Sequence, residues 1–180
     1  MDLEKLQIWA KQIHENATAH GWHEKPMSDY HWLMMVVTEV SEAVEADRKN
    51  RRLDIVIKEA ADLLEGDFVG YYDFYVKGTL EEELADIVIR ILDFTYEKFG
   101  DKMNWKTIKY LTSPFENRTF TEIAYRFIRI TLGSDAISIA SSVHYIYQWA
   151  ALYDIDLDWS IEAKMRYNET RPYKHGDKKY

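Results

Sequence analysis

Two pairs of carboxylates carry the clearest chemical signal in the chain. Glu39 and Glu42 lie in the run Thr38-Glu39-Val40-Ser41-Glu42-Ala43, and Glu83 and Asp86 in Glu83-Leu84-Ala85-Asp86-Ile87-Val88. Each pair is spaced by three, which puts both acids on one face if the segment is helical. Met35 and Ala46 continue the Glu39/Glu42 stripe and are apolar, so that face is expected to point inward or into a cleft. Asp86 is embedded among Leu84, Ala85, Ile87, Val88 and Ile89. A lone carboxylate in such company is costly unless it is paired or binds a metal. If the two segments pack side by side, four carboxylates converge, and their mutual repulsion calls for a cation. Hard oxygen donors without His or Cys point to Mg²⁺ or Mn²⁺ rather than zinc. Such an ion bridges phosphate oxygens and lowers the pKa of a bound water. Taken singly, a Glu with an acid three residues on is also common on solvated helix faces, and surface charge is the plain alternative for either pair.

The cations sit mainly at the other end of the chain. From Lys164 to Tyr180 there are six Lys or Arg (164, 166, 171, 174, 178, 179) against Glu169 and Asp177, a local balance of +4 in a chain of net charge -8. An acidic body does not attract DNA or RNA over its whole surface. A basic patch on it suits a small anionic ligand, or else is a solvated tail. Lys164 and Asn168 are four apart and Arg171 follows three later, so on a helix all three share a face. Lys and Arg there could grip phosphate oxygens, Arg as a bidentate fork. Arg90 falls one turn beyond Asp86 and either touches phosphate or pairs with an acid.

Three stretches together resemble MazG-like all-α nucleotide pyrophosphohydrolases. The runs Thr38–Lys49 and Glu82–Arg90 look like that family's paired Glu-x-x-Glu and Glu-x-x-Asp motifs. Lys164-Met165-Arg166-Tyr167-Asn168-Glu169-Thr170-Arg171-Pro172-Tyr173-Lys174-His175-Gly176 resembles the ending of phage and bacterial members. The resemblance implies a MazG-like helical bundle and Mg²⁺ held by Glu39, Glu42, Glu83 and Asp86. It implies attack of water on a nucleoside triphosphate, giving the monophosphate and pyrophosphate, with Glu39 or Glu42 assisting deprotonation. It also implies a homodimer or homotetramer. The related dCTP pyrophosphatases are similar in placing a His and a Trp near the first helix to pair and stack the base, which singles out His14 and Trp22 here. Stacking alone is tolerant of base identity. The chain departs from the pattern at Thr38, where many members carry Glu. It departs again in the long stretch between the motifs, with its aromatic segment 67–77, and in an insertion over 101–135.

Helical periodicity dominates the elements that must position these residues. Residues 2–20 place Leu6, Trp9, Ile13 and Ala17 on one stripe, and Gly21 stops the helix. Ser28 or Asp29 caps a second helix running to about Asn50. A short third helix is expected over 54–65. Thr79 with Glu82 makes a capping box opening a helix to Gly100, and Thr119 with Glu122 repeats the signal. Ser134 or Asp135 opens a helix to about Tyr153, and Asp158 is expected to cap the last, which fades near Asn168. The aromatic stretch Asp67–Lys77 reads equally as hairpin, loop or helix end; an interface or a lid is its expected use.

Length suits a single domain spanning 1–180. The longest apolar runs, such as Ile87–Leu92, are broken by charge, so no membrane span is expected. The absence of Cys excludes disulfides and thiolate chemistry and fits a reducing cytoplasm. There is no Gly-rich phosphate loop with Lys-Ser/Thr and no His-Glu-x-x-His. No Glu has a His three residues later, which argues against a carboxylate-bridged di-iron bundle. The remaining alternative to an enzyme is a non-catalytic helical module that binds a nucleotide or another protein.

Overall fold

Capping residues and helical stripes set the layout, seen here in a computed structural model that describes residues 1–61, 67–107, 115, 117–132, 136–177 and 179. The protein is all-helical. In chain order the helices are α1 (Leu3–Ala19), α2 (Asp29–Arg48), α3 (Ile55–Ala61), α4 (Phe68–Tyr71), α5 (Leu80–Phe99), α6 (Phe120–Leu132), α7 (Ala136–Ala151) and α8 (Leu157–Glu169). A tight turn follows at Lys174–Asp177. Among the described residues there is no strand, and no helix is long and apolar enough to cross a membrane.

Helix α5 is the axis of the bundle. Leu80, Leu84, Ile87, Val88, Ile91, Leu92 and Phe94 are essentially sealed from solvent, and the helix packs against α1, α2, α7 and α8. An apolar surface nearly all round is what a central helix requires. One seam breaks that surface. Glu83, Asp86, Arg90, Asp93 and Glu97 recur at alternating steps of three and four, so they fall on one face. Helix α6 packs on α2 and α7, where Phe120, Phe127, Tyr145 and Trp149 form an aromatic end to the core.

Helix ends follow their capping chemistry. Asp2, Ser28 and Thr79 accept backbone N–H groups at the starts of α1, α2 and α5. At the end of α1, Gly21 is left-handed (φ 84°), with Trp22 N donating to Ala17 O and Gly21 N to Thr18 O. This pair of bonds closes the helix and aims Trp22 back across it. Asn50 (φ 51°) and Asp154 (φ 55°) end α2 and α7 with the same six-to-one bond.

Several expectations are corrected. The last helix is capped by Asp156, whose carboxylate accepts from Trp159 N; Asp158 instead pairs with Lys5 and accepts from Tyr147. Two aspartates two residues apart fit the same pattern, and the one just before the first helical residue takes the role, leaving Asp158 inside the helix. Of the three readings open for segment 67–77, hairpin, loop or helix end, the helical one holds. After α4 it continues as a π-helical turn, Tyr72–Val76, and packs on α8, where Tyr72 stacks on Tyr167 with centroids 4.2 Å apart. The expected end of α3 beyond Ala61 and the opening of α7 at Ser134 or Asp135 lie outside the described residues.

Candidate functional site

Helices α2 and α5 lie side by side, as the two acid motifs require. Glu39, Glu83 and Asp86 present carboxylate oxygens within 4.8 Å of one another. Glu39 and Glu83 are buried, whereas Glu42, one turn further along α2, is exposed to the same cavity. Burial and the charges of Asp86, Glu82 and Glu42 push the Glu83 carboxyl up to about 9. Asp86 is likewise raised by burial, against the pull of Lys164. Glu83 Oε2 is buried with no hydrogen-bond partner among the described residues. Crowded carboxylates that resist ionising, with one oxygen orphaned, fit a hard divalent cation: all donors are oxygen, and a cation would satisfy both the charge and the orphan.

These acids floor a cavity of about 380 Å³ that also takes in Trp22, Lys77, Arg90, Lys164, Asn168 and Arg171. The four residues expected to meet phosphate are therefore brought together, but not as one helical face. Lys164 and Asn168 are on α8, while Arg171 lies past its end at Glu169. Three of these cations already hold acids, Lys77 through Asp73 Oδ1 at 2.8 Å from its Nζ. Lys164 Nζ donates to Glu82 Oε1 at 2.6 Å and lies 2.7 Å from Asp86 Oδ2. Arg90 Nε donates to Glu39 Oε1 at 2.8 Å, which resolves its role toward pairing with an acid. Asn168 Oδ1 is buried and unpartnered among the described residues.

His14 is not brought to the cavity wall. Its Nδ1 faces Asp93 Oδ1 at 2.9 Å, because its position on α1 turns it toward the lower half of the α5 seam. The residues of α1 that line the cavity are Gln12, Ile13, Asn16 and Ala17. Trp22 does line it, edge-on to His175 with centroids 5.1 Å apart. The wall here is completed by the C-terminal turn. Lys174 N donates to His20 O, His20 Nε2 lies 2.9 Å from Arg171 O, and Lys174 Nζ is 2.8 Å from Glu24. The Tyr173 ring packs on Gly21. Lys174, His175 and Gly176 are all left-handed, which folds the tail sharply back onto the loop after α1.

Sequence reasoning missed Glu82 and Lys77. Glu82 was assigned to a capping box; Thr79 does accept from Glu82 N, but the Glu82 carboxylate accepts from Gly78 N and from Lys164. Its spacing of four from Asp86 was the available signal. Lys77 reaches the cavity only because the π turn carries it there, and a local pattern does not reveal that.

Fold and site together define an all-helical protein with an oxygen-donor cluster beneath a cation-rimmed cavity. The chain matches no protein-family model, no curated protein and no solved structure.

Proposed function

We propose that the protein is a divalent-metal-dependent pyrophosphohydrolase acting on a nucleoside triphosphate, most simply a deoxynucleoside triphosphate, to give the monophosphate and pyrophosphate. The observation that carries this reading is the convergence of the Glu39, Glu83 and Asp86 oxygens within 4.8 Å, at the floor of a cavity that also holds Lys77, Lys164, Arg171 and Trp22. Mg²⁺ or Mn²⁺ would be held by Glu39, Glu83 and Asp86, with Glu42 adjoining, and supplies a Lewis acid and an acidified water when bound. Glu42, the most solvent-exposed of the four acids, takes a proton from the attacking water. The water oxygen forms a bond to phosphorus, and the bond to the leaving pyrophosphate oxygen breaks. Arg171 and Lys77 offset the charge that develops on that leaving group. Asn168 lines the same cavity, where its amide N–H would donate to the phosphate chain. Trp22 supplies a face for the base. Such substrates are met in the cytoplasm, and exposed Tyr30 (84 %) and Phe74 (77 %) suit assembly into a homo-oligomer.

One observation favours the non-catalytic alternative: Lys164 and Arg90 pair with Asp86 and Glu39 and supply countercharge from within the protein. Incubation with Mg²⁺ and each common dNTP and NTP, plus dUTP, separates the readings. Monophosphate and pyrophosphate, lost with EDTA and in Glu42→Gln and Asp86→Asn, are expected. Diphosphate and phosphate would correct the bond assignment, and no turnover of any nucleotide would favour a binding module.

A further inference from the structure

A second set of metal-type donors lies further down the α5 seam, outside the acid cluster. Asp93 Oδ1 is 2.9 Å from His14 Nδ1 on α1 and 2.9 Å from His23 Nε2 in the loop before α2. The three donor atoms lie within 4.8 Å of one another. On the far side of both rings, Glu97 Oε2 stands 3.4 Å from His23 Nδ1 and 3.7 Å from His14 Nε2. Trp32 stacks on the His23 ring, with centroids 4.9 Å apart and planes at 22°.

We propose that His14, His23 and Asp93 form a binding site for a divalent transition-metal ion, with the Glu97 carboxylate orienting both imidazoles from behind. Three features carry this. First, a buried carboxylate needs only one imidazole to remain charged, yet two nitrogens converge on the same oxygen, as ligands around one centre do. Second, the donor atoms are close enough that modest side-chain rotation would bring all three within bonding distance, roughly 2.0–2.2 Å, of one ion. Third, ligating imidazoles characteristically turn their other nitrogen to a carboxylate or carbonyl, which fixes the ring and strengthens the ligand. Here one carboxylate stands on that side of both rings, at ion-pair distance from each. Two imidazole nitrogens and one oxygen select borderline ions such as Zn²⁺, Co²⁺ or Fe²⁺ over Mg²⁺. Asp93 also borders the cavity. The site is chemically distinct from the all-oxygen cluster and does not rest on the hydrolase reading.

The test is titration of the full chain with Co²⁺ in excess Mg²⁺, which occupies oxygen sites, followed by visible absorption. One retained Co²⁺ with ligand-field bands is expected. Glu97 is 40 % exposed, so Glu97→Gln folds like the parent, and it should weaken Co²⁺ about 10- to 100-fold. His23→Gln should abolish retention and Glu83→Gln leave it unchanged. Retention that survives His23→Gln, or that disappears in Glu83→Gln, overturns the site, as does failure of Mg²⁺-resistant Co²⁺ binding in the parent. If His23→Gln does not fold, X-ray absorption of the parent complex decides: imidazole scattering supports the proposal, and its absence ends it.

Discussion

Lys164 Nζ and Asp86 Oδ2 lie 2.7 Å apart beneath the cavity, with the lysine 7 % exposed and bound on its other side by Glu82. The lysine is thus a built-in counter-ion for the acids of α5. Burial would lower its pKa, but the two carboxylates outweigh that and raise it, so it stays charged.

Removing that charge should therefore be expensive. Lys164→Met leaves buried Glu82 and half-buried Asp86 without compensation, and breaking one partner of such a pair costs about 3–5 kcal/mol. Chemical denaturation of the metal-free variant measures this. A loss under about 1 kcal/mol would mean that the acids are solvated or protonated instead.

The raised Glu83 pKa has a definite sign. Its folded value of about 9 exceeds the usual 4.5, so the folded state holds a proton that the unfolded chain has lost across that interval. Its contribution is present below pH 4.5 and disappears as pH rises through about 9, at a slope approaching about 1.4 kcal/mol per pH unit. His23, whose pKa is raised by Asp93 and Glu97 despite burial, slopes the same way, so Glu83→Gln is the control. Asp86, raised to about 7 by burial, adds to the same slope, so denaturation midpoints across this range should fall in the parent and fall less steeply in the variant. An unchanged slope in Glu83→Gln would remove Glu83 as the cause.

Metal binding and proton transfer should come apart. Asp86→Asn is expected to lose both Mn²⁺ affinity and turnover. Glu42→Gln should retain most of the affinity while turnover drops about 10²- to 10⁴-fold. Equal loss of affinity in the two variants would make Glu42 a ligand rather than the base.

Arg171 lies beyond the end of α8 and faces the cavity without belonging to the acid pairs. Arg171→Ala should raise KM for a triphosphate about 10-fold or more, consistent with loss of a hydrogen bond to a charged group. Steady-state kinetics with a triphosphate and its monophosphate as inhibitor would show whether the loss follows the distal phosphates.

Gly21 holds Trp22 and the C-terminal turn in place. It is left-handed and the Tyr173 ring covers it, so Gly21→Ala meets both backbone strain and a clash. A cost of about 1 kcal/mol or more is expected, with faster proteolysis of the tail. A variant as resistant as the parent would show that the turn is held elsewhere.

The all-helical class was legible because apolar stripes and spacings of three are local signals, whereas the meeting of α2 with α5 entered only as a condition and is supplied by the packing. Thr79, Gly21 and the Thr119–Glu122 box acted where their chemistry said they would. The direction of His14 was not legible. Its choice between cavity and Asp93 depends on the rotation of α1 against α5, a tertiary quantity. The burial of Lys164 was hidden for a related reason: a basic tail reads as solvated until two acids on another helix are seen to enclose it. The Asp156 cap was missed because two aspartates satisfied the same pattern.

The α5 seam makes one helix the ruler for two centres. Asp86 and Asp93 are seven residues apart, two turns and about 10 Å along the axis. That interval is set by backbone hydrogen bonds and not by any loop, so neither centre can drift independently of the other. Inserting a single residue between them would rotate one half of the seam by about 100° relative to the other. The helix would survive, but one group of ligands would be turned into the core.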